Sequence, residues 1–164
     1  MAVVYEEDLH KFIGSNKTAG DIVLALRNRH NDRMEVNLNE VELGRSGRRA
    51  DFYTMRASWT KPMPTCYEIK VSVQDFKNDK KWHLYLPYCE RFYFACPAGL
   101  LQPEQIDERA GLVWVDDKGY VSLKKNSPNR KLEEKHKNAM MQRILYRYMF
   151  KHGDLIQPHE DRLD

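Results

Sequence analysis

The chain is short of the groups that announce a secreted, metal-caged or membrane-embedded protein. It has three cysteines in 164 residues, Cys66, Cys89 and Cys96. Their number is odd, no C-x-x-C spacing occurs and their neighbours are apolar, which favours reduced, buried thiols over a disulfide framework or a zinc cage. The six histidines are scattered from His10 to His159, so a histidine metal centre has little support. No apolar run approaches a membrane span, and Met1 to Asp8 lacks the basic and apolar regions of an export signal, which predicts a soluble, cytoplasmic protein. A strong excess of one charge is missing too. The net charge of +3 is too small to identify a nucleic-acid binder, so local clustering has to carry that argument. There is no internal repeat, and the length suits one domain over residues 1–152, followed by a charged tail, 153–164, expected to be flexible.

What is present is a regular alternation of helix and strand signals. Residues 18–31 read as an amphipathic helix capped by Thr18 or Ser15, with Ile22, Val23, Leu24 and Leu26 as its apolar side. Strands are expected at 36–43, 49–57 and 66–72, with Gly44 to Gly47 turning between the first two. The alternation in the first strand breaks near Val41. Ser72-Val73-Gln74-Asp75 has capping-box form and predicts a helix running to about Tyr88, where Pro87 marks its end. Arg91 to Cys96 is almost continuously apolar, as a strand buried on both faces would be. A hairpin around Asp116-Asp117-Lys118 and a helix over 130–152, with Leu132, Ala139, Met140, Ile144, Leu145 and Tyr148 buried, complete an α/β sandwich.

Chemistry concentrates at Glu68-Ile69-Lys70. Side chains two apart on a strand share a face, so Glu68 and Lys70 project together. Acid-x-Lys also occurs at Asp75, Asp79, Asp116 and Glu133, but only Glu68 and Lys70 interrupt a β-forming run. A hairpin centred near Trp59 and Thr60 would set Asp51 opposite Glu68, within cross-strand range. Converging carboxylates repel unless a cation lies between them, and a hard divalent ion with oxygen ligands answers that need. The spacing is equally that of a solvated Glu and Lys on a half-exposed sheet.

With these segments in place the chain resembles the PD-(D/E)XK nuclease superfamily and, more narrowly, the MmcB-type DNA repair proteins. The resemblance rests on Gly47-Arg48-Arg49-Ala50-Asp51, on Glu68 to Trp82, on Tyr88 to Ala95 and on Ala110 to Val113, in the same order and spacing over roughly residues 35 to 150. It implies a restriction-endonuclease-like α/β fold, a mixed central sheet of an antiparallel meander plus a parallel strand, flanked by helices. It further implies a Mg²⁺- or Mn²⁺-dependent nuclease that hydrolyses DNA phosphodiester bonds in repair, recombination or phage DNA processing. Asp51 and Glu68 would bind the metal with the main-chain carbonyl of Ile69, and Lys70 would orient or deprotonate the attacking water. Glu40 or Glu42 could add a further acid, Glu40 being the one retained.

Arg45, Arg48, Arg49 and Lys61 flank the proposed site and could contact phosphates, as could Lys81 in the segment of resemblance. Each can equally be a solvated surface charge. Trp82 reads as packing, Asp75 and Asp79 as flanking the helix start, where they could support the site but more simply face solvent, and the basic last helix (Lys131, Lys135, Lys137, Arg143, Arg147, Lys151) as a solvated face that could extend a DNA track. DNA and a repair or recombination protein are the expected partners. The alternative is a catalytically silent DNA-binding or protein-interaction module on the same scaffold.

Overall fold

The computed structural model describes residues 17–151; Ser15 and the tail 153–164 lie outside them. Eleven residues, Ala19–Arg29, form α1. Thr18 caps it reciprocally, its hydroxyl accepting from the Asp21 amide and the Asp21 carboxylate accepting from the Thr18 amide, which satisfies two otherwise orphaned donors. Ile22, Ala25 and Leu26 are its buried residues, whereas Leu24 faces solvent. A spacing of three and four, rather than a run of neighbours, marks the buried stripe.

Six strands follow: β1 (Glu35–Glu42), β2 (Arg49–Arg56), β3 (Thr65–Ile69), β4 (Arg91–Pro97), β5 (Gly111–Val115) and β6 (Val121–Lys125). They lie in the sheet in chain order. β1, β2 and β3 form the expected antiparallel meander, and β4 runs parallel to β3. The structure adds a second parallel pair, β4 with β5, before β6 returns antiparallel. β4 is therefore central, and every residue after Arg91 in it is buried.

Between β3 and β4 the single helix expected to reach Tyr88 is two pieces, α2 (Val73–Asn78) and a 3₁₀ helix (Trp82–Tyr88). Asp79 causes the break. Its backbone is extended, and its side chain accepts from the amides of Lys81 and Trp82, starting a new turn. The last helix, α3 (Glu134–Lys151), begins four residues later than expected. It buries Met140, with Leu132 buried just ahead of it, but exposes Leu145 and Tyr148. Helices thus cover both faces. α1 packs on Phe52, Tyr67, Tyr93 and Val113, while α2, the 3₁₀ helix and α3 cover Tyr53, Cys66, Phe92, Phe94 and Leu112. Trp82 packs on the rings of Phe92 and Phe94, as core. All three cysteines are free and buried. Among the described residues no helix is long and apolar enough to cross a membrane.

Gly111 shows how tightly β4 and β5 meet. A Cβ there would lie 2.5 Å from Tyr93 ring carbons and 2.6 Å from the Lys125 carbonyl oxygen. The backbone oxygen has little room to yield, so Gly111→Ala is expected to cost about 2 kcal/mol. A denaturant midpoint equal to the parent's would refute this packing.

Candidate active site

Strand pairing builds the site. β2 and β3 pair as Phe52 with Tyr67, Tyr53 with Cys66 and Thr54 with Thr65, and continuing that register by one step sets Asp51 across from Glu68. On the other side, β1 and β2 pair as Asn39 with Phe52 and Val41 with Ala50, which sets Glu40 across from Asp51. Three acids thus lie in a row over three adjacent strands.

Glu40 is where β1 departs from regular geometry. Its φ is 48°, a left-handed conformation that costs a non-glycine residue roughly 1–2 kcal/mol. The bend explains the broken alternation: Leu38 and Val41, three apart, are both buried. α3 holds the bend in place. Arg147 donates to the carbonyl oxygens of Asn39 and Glu40 at 2.7 and 3.0 Å, and Arg143 donates to the Gly44 carbonyl at 2.7 Å and pairs with Glu42 at 3.1 Å. These arginines are fasteners, not the solvated face expected of the basic last helix.

Asp51 is half-buried and its Oδ2 accepts from the Ile69 amide at 2.7 Å. Ile69 therefore meets Asp51 through its N–H. Burial raises the Asp51 pKa, against the opposing pull of that hydrogen bond and of Lys70. Glu68 is more strongly affected. Burial first, then the charge of Asp51, push its carboxyl up to about 8, and its Oε2 is buried with no hydrogen-bond partner. An orphaned carboxylate oxygen of this kind is costly unless something outside the chain satisfies it.

Lys70 follows β3 directly and is 4% exposed. Its Nζ donates to Asp79 Oδ2 at 2.7 Å, and lies 3.6 Å from Glu68 Oε1 and 4.0 Å from Asp75 Oδ1. Burial pulls the ammonium toward neutrality, but the Asp79 hydrogen bond and the charges of Glu68, Asp79 and Asp75 outweigh it and keep its pKa above the ordinary value. Held this way, the Lys70 ammonium is favoured in its charged form. Asp79 is the residue whose role the sequence hid. Of the two readings open for it, solvent exposure and support of the site, the structure shows it largely covered and bonded to Lys70, while Asp75 is open. Burial would lift the Asp79 carboxyl, but Lys70 and the amides of Lys81 and Trp82 hold it below the usual range. Its signal was available in Asp79-x-x-Trp82, the spacing of an Asp that caps a following turn.

A cleft of about 440 Å³ beside the row is lined by Asp51, Ile69, Glu40 and Asp75 together with Arg27 and residues of α1. Arg49 is exposed and lines an adjoining cleft of about 400 Å³ with Glu40, Arg143 and Arg147. Arg45 is also exposed but lies farther along, against Tyr88, His136 and Arg143. Arg48 is partly covered in the turn, where its amide donates to the Ser46 hydroxyl, and Lys81 is exposed. Of the four basic residues, only Arg49 therefore shares a cleft with an acid of the row. Among the described residues, no group of three or more His, Cys, Asp or Glu side chains is assembled to hold a metal. Asp51 and Glu68 remain, the latter with an unsatisfied oxygen, and oxygen donors of this kind suit a hard divalent ion such as Mg²⁺ or Mn²⁺ with water completing the coordination.

Comparison with known proteins agrees with this architecture. The sequence model of a family described as "DNA repair protein MmcB-like" matches residues 17–148. Among solved structures the chain is similar to the SPO1766 protein of unknown function from Silicibacter pomeroyi, with a TM-score of 0.68 and 23% identity, over 90% of this chain and 98% of that one. No curated protein matches it.

Proposed function

We propose, for a chain that belongs to the MmcB-like family of DNA repair proteins, hydrolysis of DNA phosphodiester bonds with a divalent metal held by Asp51 and Glu68. The observation that carries this reading is Glu68 Oε2, an acid oxygen that is buried, lacks a donor and belongs to a side chain set across the strands from a second acid. Asp51, Glu68 and the Ile69 carbonyl would hold Mg²⁺ or Mn²⁺, with Glu40 approaching from β1. A metal bound there would supply a nucleophile at neutral pH by lowering the pKa of water, and would neutralise charge on the phosphate.

The remaining work falls to the protein's own side chains. Lys70, steadied by Asp79, brings a fixed positive charge beside the reacting phosphate and orients the incoming water. The Ile69 amide fixes the rotamer of Asp51. Arg49, with Arg45, Arg48 and Lys81 around it, would hold the DNA backbone in register, a contribution that weakens as salt rises.

The test is incubation of the purified chain with duplex, single-stranded and branched DNA in Mg²⁺, Mn²⁺ or EDTA. Cleavage is expected only with metal, and Asp51→Asn is expected to abolish it while DNA affinity, read by fluorescence anisotropy, stays near the parent's. Parental cleavage rates in Asp51→Asn would sink the assignment. A second reading, a DNA-binding module without turnover, is favoured by the 2.7 Å hold of Asp79 on Lys70, which keeps the lysine charged and engaged. It expects salt-sensitive DNA binding and no product with either metal.

A further inference from the structure

A second polar cavity lies at the C-terminal end of α1, whose earlier residues line the cleft beside the acids. It measures about 200 Å³ and its wall includes Arg29, His30, Glu35, Arg56, Arg91 and Asn126. Its floor is formed at the start of β3 and β4, where Thr65 pairs with Arg91, whereas Glu68 lies toward the other end of β3. Nothing in it is shared with the row of acids.

Three features define what the cavity can take. First, three arginines converge against one carboxylate. Among the described residues none of the three has a carboxylate in ion-pair reach; Arg29 spends one donor on the Val121 carbonyl at 3.2 Å, and Arg91 has a buried Nε without any hydrogen-bond partner. Second, the one carboxylate is already committed. Glu35 Oε1 sits 2.7 Å from His30 Nδ1, and His30 Nε2 sits 2.8 Å from the Tyr67 hydroxyl. Both ring nitrogens of His30 are thus engaged, one by Glu35 and one by Tyr67. Burial lowers the His30 pKa against the opposing pull of Glu35, disfavouring a further positive charge here. The wall thus carries three positive charges and one negative. Third, the volume is below the roughly 300–1,000 Å³ of pockets for drug-sized ligands. A small, multiply charged oxyanion matches it, because guanidinium forks bind tetrahedral oxyanions through paired hydrogen bonds.

We propose that this cavity is a phosphate-binding site, formed by Arg56 and Arg91 with Arg29 and Asn126 at its rim. The phosphate group can belong to a small phosphorylated compound or to the terminal phosphomonoester of a nucleic acid strand. In both cases it leaves the buried Arg91 Nε satisfied.

Inorganic phosphate, titrated calorimetrically into the full chain at fixed ionic strength in EDTA, is the first probe. Saturable binding is expected, weakened about tenfold in Arg56→Ala and in Arg91→Gln, as loss of one charge-assisted hydrogen bond implies. Arg33→Ala, which removes an exposed charge elsewhere, is expected to bind as the parent does, and so is Asp51→Asn. Arg56 is exposed, so its variant keeps the test readable should Arg91→Gln fold poorly. Failure of the parent to saturate, or equal losses in Arg33→Ala and Arg56→Ala, overturns the proposal whatever the outcome of the cleavage assay. An oligonucleotide with a 5′-phosphate that outbinds its 5′-hydroxyl twin, with the advantage lost in Arg56→Ala, assigns the site to strand ends. Equal binding of the twins, with inorganic phosphate still saturating, assigns it to small phosphorylated compounds.

Discussion

In EDTA at pH 8, Glu68→Gln is expected to unfold at a higher temperature than the parent protein and, under the proposed nuclease function, to cut DNA about a thousandfold more slowly once metal is restored. Both effects come from one oxygen. Without a cation, Glu68 is a buried acid facing Asp51, with its carboxyl raised from 4.5 to about 8. A raised carboxylate pKa means that the folded state holds its proton where the unfolded state has lost it. Stability therefore falls as pH rises from about 4.5 to 8, the full penalty being present above 8. Glutamine cannot ionise and removes that slope, a gain of a few kcal/mol at pH 8 and none near pH 4.5. The same substitution would remove an oxygen proposed to hold the metal, and about 4 kcal/mol of lost transition-state stabilisation corresponds to the expected thousandfold drop. Thermal scans of both proteins in EDTA at pH 5 and pH 8 decide the first half. A variant that melts below the parent at pH 8 would show that Glu68 is satisfied after all. Stability given up at a reactive position is a common feature of functional sites.

Lys70→Ala has the opposite effect on the fold. The lysine donates to Asp79 at 2.7 Å and lies 3.6 Å from Glu68 and 4.0 Å from the open Asp75, and its removal leaves the largely covered Asp79 carboxylate without its cation. Truncating one partner of a buried ion pair costs about 3 kcal/mol, on the order of 10 °C in midpoint for a chain of this size. Adding Asp79→Asn to Lys70→Ala is expected to recover much of the loss, because neither half of the pair is then left charged alone. If the double variant is no more stable than the single one, the Lys70–Asp79 contact is not the source. Cleavage is expected to vanish in Lys70→Ala while DNA affinity persists, which separates the lysine's part in the reaction from its part in the fold.

The site was legible to the extent that it depends on strand register. Asp51 and Glu68 meet because the β2–β3 pairing is symmetric about Trp59 and Thr60, and a one-residue slip would have sent one of them to the other face. Glu40 was legible only as an irregularity. The broken alternation near Val41 marked the place, but the left-handed turn behind it depends on Arg147, far along the chain. Asp79 was legible only in part, because its neighbours looked helical, whereas its side chain ends one helix and starts the next. The parallel pairing of β4 with β5 was not anticipated, since the connecting segment contains only the short 3₁₀ turn Pro103–Gln105 in place of the usual crossover helix. The arginine cavity is the least local feature. Arg29, Arg56 and Arg91 come from α1, β2 and β4, and no spacing in the sequence relates them.

The clamp of Arg147 on Glu40 spans 107 positions of the chain. A polypeptide leaving the ribosome presents Glu40, Asp51, Glu68 and Lys70 well before the residue that pins the first of them. Domains that emerge from the N-terminus acquire order as their packing partners arrive, so the acidic row is finished only when the last helix has been translated. A truncated product ending before Arg147 would carry all the acids and still lack the anchor for the bend at Glu40. Completion of the acidic row thus waits on the translation of α3, which lies far along the chain from the strands that carry the acids.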